Sequence, residues 1–206
     1  MYSYVIEFNL KQRGDEAEDY LAEAARTWPK LWGDVPGVTG TLLLSSALAL
    51  GGEFEYQWRV DLERLATLAR IDELMKSDHQ WQRTRRRWFR ARTVARAHLS
   101  RHIGGDEAYC AEQKGVEGAV HFVLHSPSAG SDRTSEQLDA VRSAPGVVSS
   151  QQLAQVAGSA VSAEQTWVRL ESLDRLDDVA NLRIGEGFGR LYGELREVEG
   201  SLFAGA

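Results

Sequence analysis

Two short sequence echoes, in the same order and just over 100 residues apart, constrain this chain more than any other feature. Pro36-Gly37-Val38 recurs as Pro145-Gly146-Val147, an offset of 109. Leu62-Glu63-Arg64-Leu65-Ala66-Thr67-Leu68 is echoed by Leu170-Glu171-Ser172-Leu173-Asp174-Arg175-Leu176, an offset of 108. Two ordered matches within 206 residues indicate two copies of one unit of about 100 residues, large enough to bury a core.

The patterning around the echoes agrees. In the first copy, Tyr2–Leu10 alternates apolar and polar residues as a strand does. Leu21, Ala24, Ala25, Trp28 and Trp32 follow at helical spacing, and Pro29 is expected to end or kink that helix near Trp28. A strand from Val38 through Ala47, a Gly51-Gly52 turn and a strictly alternating Glu53–Val60 come next. Leu62, Leu65, Leu68, Ala69 and Met75 mark a second amphipathic helix, and a last strand falls within Val94–Ile103. The second copy reads likewise: strand Gly118–Leu124, helix Ser135–Ala144, a strand pair ending at Gln165–Leu170, and a closing strand near Leu195–Phe203. Strand-helix-strand-strand-helix-strand is the ferredoxin-like unit. The expected organisation is therefore α+β, with one half over residues 1–103, a linker over 104–117 and a second half over 118–206. Such a unit covers one face of its antiparallel sheet with helices and leaves the other bare, so the two bare faces are expected to bury each other within the chain.

Alternation then assigns side chains to faces. Opposite the helix-facing residues lie Glu7 and Asn9 on the first strand, Gln57 and Arg59 on the third, and His121 and His125 at the start of the second half. Trp167 and Arg169 fall on the same side, and Arg96 and His98 join it from the last strand of the first half. Polar groups enclosed between sheets must be paired, and such groups cluster at working sites. A histidine ionises near neutrality, which suits His121 to proton abstraction. Asn9 and Arg59 suit the orientation of an enolate-like oxygen. Glu7, Gln57, His125, Trp167 and Arg169 would contact a substrate held between the sheets. His121 and His125 lie about 13 Å apart on a strand rising ~3.3 Å per residue, with no acid or cysteine placed to complete a set, so no metal is expected.

Charge is uneven: residues 1–103 carry 16 basic and 14 acidic side chains, residues 104–206 carry 8 and 16. Eight arginines between Arg83 and Arg101 have no acid among them. In a chain of net charge −6 they read as a solvated helix face complementing the acidic half, and nucleic acid is not an expected partner. Trp81, Trp88 and Phe89 read as packing residues. The lone Cys110, the lack of an apolar run of ~20 residues and an N-terminal segment without the basic start and long apolar stretch of a signal peptide lead us to expect a cytoplasmic protein without a membrane span.

The run Tyr56-Gln57-Trp58-Arg59-Val60, then Leu62, Leu65, Leu68 and Leu74, then Ser77-Asp78-His79-Gln80-Trp81, resembles the antibiotic biosynthesis monooxygenase-like group of the dimeric α+β barrel superfamily. The resemblance covers the first half better than the second and implies a tandem barrel within one chain. Members of the group oxidise aromatic polyketides without a cofactor or degrade haem. Asn9 could fill the Asn role of the haem-degrading relatives, but Leu74 stands where they carry Trp, and Arg83 or Thr84 where they carry His. The resemblance implies a cofactor-independent monooxygenase acting on a hydrophobic or aromatic small molecule. A non-catalytic small-molecule or partner-binding barrel and a haem-binding protein stay open beside it, as does a homodimer of two such chains.

Overall fold

The computed structural model describes residues 1–110, 119–126, 133–158, 162–180, 187–198 and 201–204. The first half contains β1 (Tyr2–Leu10), α1 (Asp15–Gly33), β2 (Val38–Ser46), β3 (Tyr56–Leu62), α2 (Ala66–Ser77), α3 (His79–Ala91) and β4 (Arg92–Gly105). The second contains β5 (Val120–Ser126), α4 (Arg133–Arg142), β6 (Val147–Gly158), β7 (Glu164–Leu170), a 3-10 turn at Leu173–Arg175, α5 (Leu176–Ala180), β8 (Phe188–Val198) and β9 (Ser201–Ala204).

Strands of the first half pair in the order β2-β3-β1-β4 and those of the second as β6-β7-β5-β8, the same pattern twice. Pairings β4–β6 and β2–β8 join the two sheets into a closed antiparallel barrel of eight strands, and β9 pairs with the end of β8. Closure removes the free sheet edges that two separate units would expose.

The sequence echoes meet each other in space. The Glu63 N–H donates to the Gly37 carbonyl at 2.9 Å, and the Glu171 N–H donates to the Gly146 carbonyl at 2.9 Å. Both glycines have positive φ, 92° and 76°, which side chains disfavour. In each half the Pro-Gly-Val turn thus starts one strand and anchors the end of its neighbour.

Several element boundaries differ from the sequence reading. α1 continues through Pro29 to Gly33, because Trp28, Leu31 and Trp32 bury against the sheet on both sides of the lost hydrogen bond. The closing strand begins at Phe188 rather than Leu195, and the expected span Leu195–Phe203 straddles the step from β8 to β9. Of Gly185-Glu186-Gly187-Phe188-Gly189, the first two residues lie outside the described residues, while Phe188 and Gly189 are strand. A Cβ on Gly189 would come within 2.4 Å of the Phe122 ring, so a bare backbone is needed there. From the segment expected as a linker, Tyr109 and Cys110 enter the barrel and are buried.

Four apolar clusters lie among the described residues, a small one around Ala47, Val120 and Leu191 and three larger ones. One lies under the helices of the first half, around Phe8, Trp28, Trp32, Trp58 and Leu62. A smaller one lies under those of the second, around Val141, Val168, Leu170 and Val179. The third fills the barrel with Leu42, Leu44, Tyr109, Val123, Trp167 and Tyr192.

Candidate functional site

The space between the sheets is a packed polar and aromatic interior. Glu7, from β1, accepts from Arg96 Nε at 2.6 Å, Arg190 Nη1 at 2.9 Å and Gln57 Nε2 at 3.1 Å. Burial pushes its carboxyl upward, but the hydrogen bond and charge of Arg96, with His98 and Arg190 nearby, outweigh that and hold it below its ordinary range. Arg59, from β3, lies between the rings of Trp167 and Tyr109, 4.5 and 4.9 Å from their centroids, and pairs with Asp61 at 3.0 Å. Asp61 also accepts from the Ser3 hydroxyl at 2.5 Å. Gln151 Nε2 donates to His102 Nδ1 at 2.8 Å, which leaves the proton on His102 Nε2, 2.8 Å from the Ser3 oxygen. A directed chain thus runs from Gln151 through His102 and Ser3 to Asp61. Burial raises the Asp61 carboxyl, yet Arg59, His102 and Ser3 together pull it well below the ordinary range.

The second half places its own set at the corresponding height. His121 Nδ1 meets the Tyr109 hydroxyl at 2.9 Å, and its Nε2 lies 3.6 Å from a Glu194 carboxylate oxygen. Arg169 lies 4.0 Å from the same carboxylate with its guanidinium over the Tyr109 ring. Its guanidinium nitrogens have no hydrogen-bond partner among the described residues. His125 bonds to the Ser162 hydroxyl at 3.0 Å and stacks on Phe188. Burial lowers His121 to about 4, His98 to about 4 and His125 to about 3, so all three are neutral at physiological pH. A neutral imidazole with such a value is a weak base.

Of the residues chosen from sequence, Glu7, Gln57, Arg59, His121, His125, Trp167 and Arg169 are all buried. Asn9 is the exception. It sits at the end of β1 beside a register shift against β4, and its amide holds the β2–β3 loop, donating to the Glu53 carbonyl at 3.1 Å and accepting from the Glu55 N–H at 2.7 Å. One cavity lies beneath the helices of the first half, another between α1, β2 and β8 reaches the barrel residues Leu42, Cys110 and Glu194, and side chains fill much of the region between the sheets. Ser3, Asp61, His102, Gln151, Arg190 and Tyr192 were not foreseen. For Asp61 the signal was present, since it continues the Gln57, Arg59 alternation one step past Val60.

The cavity with the most aromatic wall lies on the other face of the first-half sheet, beneath α1, α2 and α3, with a volume of about 340 Å³. Five of the six tryptophans of the chain line it: Trp28, Trp32, Trp58, Trp81 and Trp88. They hold one another edge to face, with centroids 5.3 Å apart for Trp28 and Trp58, 5.2 Å for Trp28 and Trp88, and 5.2 Å for Trp32 and Trp81. Asp78 caps α3 by accepting from the Gln80 and Trp81 N–H groups at 2.8 and 3.0 Å, which fixes where Trp81 and Trp88 enter the wall. Phe89, expected to pack, is 51% exposed at the rim and carries the Arg92 guanidinium 4.1 Å above its ring. Asp72, Thr84, Arg85, Arg92 and Arg96 supply the polar part of the lining.

The aromatic cavity offers no histidine to a haem iron. None of the five histidines lines the aromatic cavity: His79 opens α3, and the other four are tied into the barrel. His79 lines a separate, arginine-walled recess of about 540 Å³ along α3. No helix among the described residues is long and apolar enough to cross a membrane.

No protein-family model matches the sequence, and no curated protein matches it. Solved structures do match over the whole chain. An anthrone oxidase-like protein superposes with a TM-score of 0.56 at 13% identity, covering 100% of this chain and 96% of its own. A protein named as a candidate monooxygenase from Fusobacterium nucleatum gives 0.57 at 11% identity, covering 100% and 95%. Chlorite dismutase from Candidatus Nitrospira defluvii, in complex with imidazole, gives 0.51 at 8% identity, covering 93% and 90%. The fold is that of the dimeric α+β barrel. In this chain both halves of the barrel lie on one polypeptide.

Proposed function

We propose that the chain is a cofactor-independent monooxygenase-like enzyme whose substrate is a planar aromatic small molecule held in the tryptophan-lined cavity of the first half. The observation that carries this reading is the gathering of five tryptophans around one space of about 340 Å³, a size and lining suited to a small ligand. The anthrone oxidase-like and monooxygenase names of the structural relatives support it by analogy of fold. The reaction class is oxidation of an activated methylene to a carbonyl. The substrate loses a proton to water to give a stabilised carbanion, dioxygen adds to that carbon, the peroxide takes a proton back from water, and loss of water from the resulting hydroperoxide leaves the ketone. One O2 is consumed and one H2O released. The protein binds the ring system, excludes water and stabilises the negative oxygen of the enolate. His121, Arg59 and Asn9 take no step here, because they lie away from the cavity.

Anthrone is a suitable probe. Saturable quenching of tryptophan fluorescence, with anthraquinone formed and oxygen consumed faster than in buffer, is the expected result. Absence of saturable quenching would sink the reading. Quenching without oxidation would favour the non-catalytic binding protein, for which the lack of a histidine in the cavity wall speaks.

A further inference from the structure

The aromatic cavity is rich in hydrogen-bond donors and poor in acceptors. Trp58 is 1% exposed, and its indole N–H has no acceptor among the described residues. The faces of Trp28 and Trp32 beside it can accept only weakly, so a full acceptor would have to come with a ligand. At the rim, Arg92 lies over Phe89 and Trp88, with centroid distances of 4.1 and 5.3 Å, and Arg85 lies 5.6 Å from Phe89. Neither has a carboxylate partner among the described residues. The one carboxylate in the lining, Asp72, is tied to Lys76.

We infer that the cavity selects aromatic oxyanions (carboxylates, phenolates or enolates), with the ring system among the tryptophans and the charged oxygen taking the Trp58 N–H and the Arg92 guanidinium. This rests on the proposed role of the cavity and deepens it by naming the charge and the two specificity-determining residues. A buried N–H with no partner disfavours the empty site, and an anionic acceptor forms the stronger class of hydrogen bond with it. Arginines already stacked on rings add attraction at little further ordering. A neutral arene of equal size would leave the Trp58 N–H unpaired, and a cation would meet Arg85 and Arg92.

Three naphthalenes of similar size test this by calorimetry on the full chain: 2-naphthoate, 2-methylnaphthalene and 2-naphthylmethylammonium. The expected order is naphthoate at least about tenfold tighter than the other two. Trp58→Phe should weaken naphthoate about tenfold and change the neutral arene less than threefold. Arg92→Met keeps the stem over Phe89 and should act the same way, serving if Trp58→Phe lowers the melting temperature too far to study. Equal binding of all three compounds, or equal losses for charged and neutral ligands in both variants, overturns the selectivity while leaving an aromatic site. Failure of all three to bind overturns the aromatic site as well.

Discussion

Glu7 shows what the interior demands of a single residue. Its two oxygens serve two guanidinium groups and an amide drawn from three other strands, β3, β4 and β8. Pairing this full offsets much of the cost of taking a charge out of water. The histidines meet the same demand by staying neutral. His98, His121 and His125 have folded-state values of about 4, 4 and 3, below the ~6.5 of an unfolded chain. Between those limits the unfolded state binds more protons than the folded one, so stability rises with pH there. Their contribution is complete above about pH 6.5 and is lost as pH falls toward the folded values, with an upper bound on the order of 3 to 5 kcal/mol for each ring. Urea midpoints measured from pH 8 to pH 5 should hold steady above 7 and then drop. A flat profile across that range would show that these rings are not held neutral by burial.

At the scale of elements, α3 links sequence to cavity most directly. Asp78 caps it, its tryptophans and Arg85 form part of the wall, and Arg87 is paired to Glu23 on α1. Loss of an N-cap costs about 1 kcal/mol. Asp78→Ala should therefore lower the unfolding free energy by about that amount without changing the fold, as read by chemical denaturation and circular dichroism. A change below ~0.3 kcal/mol would mean that packing of Trp81 alone fixes the start of the helix. The bulge opposite Asn9 is another element-scale device. One extra residue in β4, opposite Asn9, shifts the register at the end of β1, where the Asn9 amide holds the β2–β3 loop, and strict alternation cannot foresee that.

At the scale of the molecule, the interior binds the halves into one cooperative unit. Arg190 reaches Glu7 across 183 positions of sequence, and Gln57 donates to the Tyr192 hydroxyl across 135. Arg59 and His102 both bond to Gln151 of β6. Separating the halves would leave these charges without partners, so a half-folded chain has no favourable resting state. Denaturation followed by tryptophan emission, which reports mainly on the first half, should coincide with that followed by far-ultraviolet circular dichroism, which reports on both. Two separated transitions would show that the halves unfold independently.

Periodicity alone decided a good deal. Period-2 alternation put Glu7, Gln57, Arg59, His121, His125, Trp167 and Arg169 on one side of their strands, and the echoes Pro36-Gly37-Val38 and Pro145-Gly146-Val147 marked the repeat, because face and turn are local properties of a chain. Tertiary structure alone decided where space remains. Trp28, Trp32, Trp58, Trp81 and Trp88 all read as core residues from their spacing, and only the fit of α1–α3 on the sheet leaves about 340 Å³ unfilled between them. Tyr109 and Trp167 fill the barrel that alternation suggested was open. Local pattern fixes which way a side chain points, whereas the volume left between facing side chains depends on how distant segments close against one another.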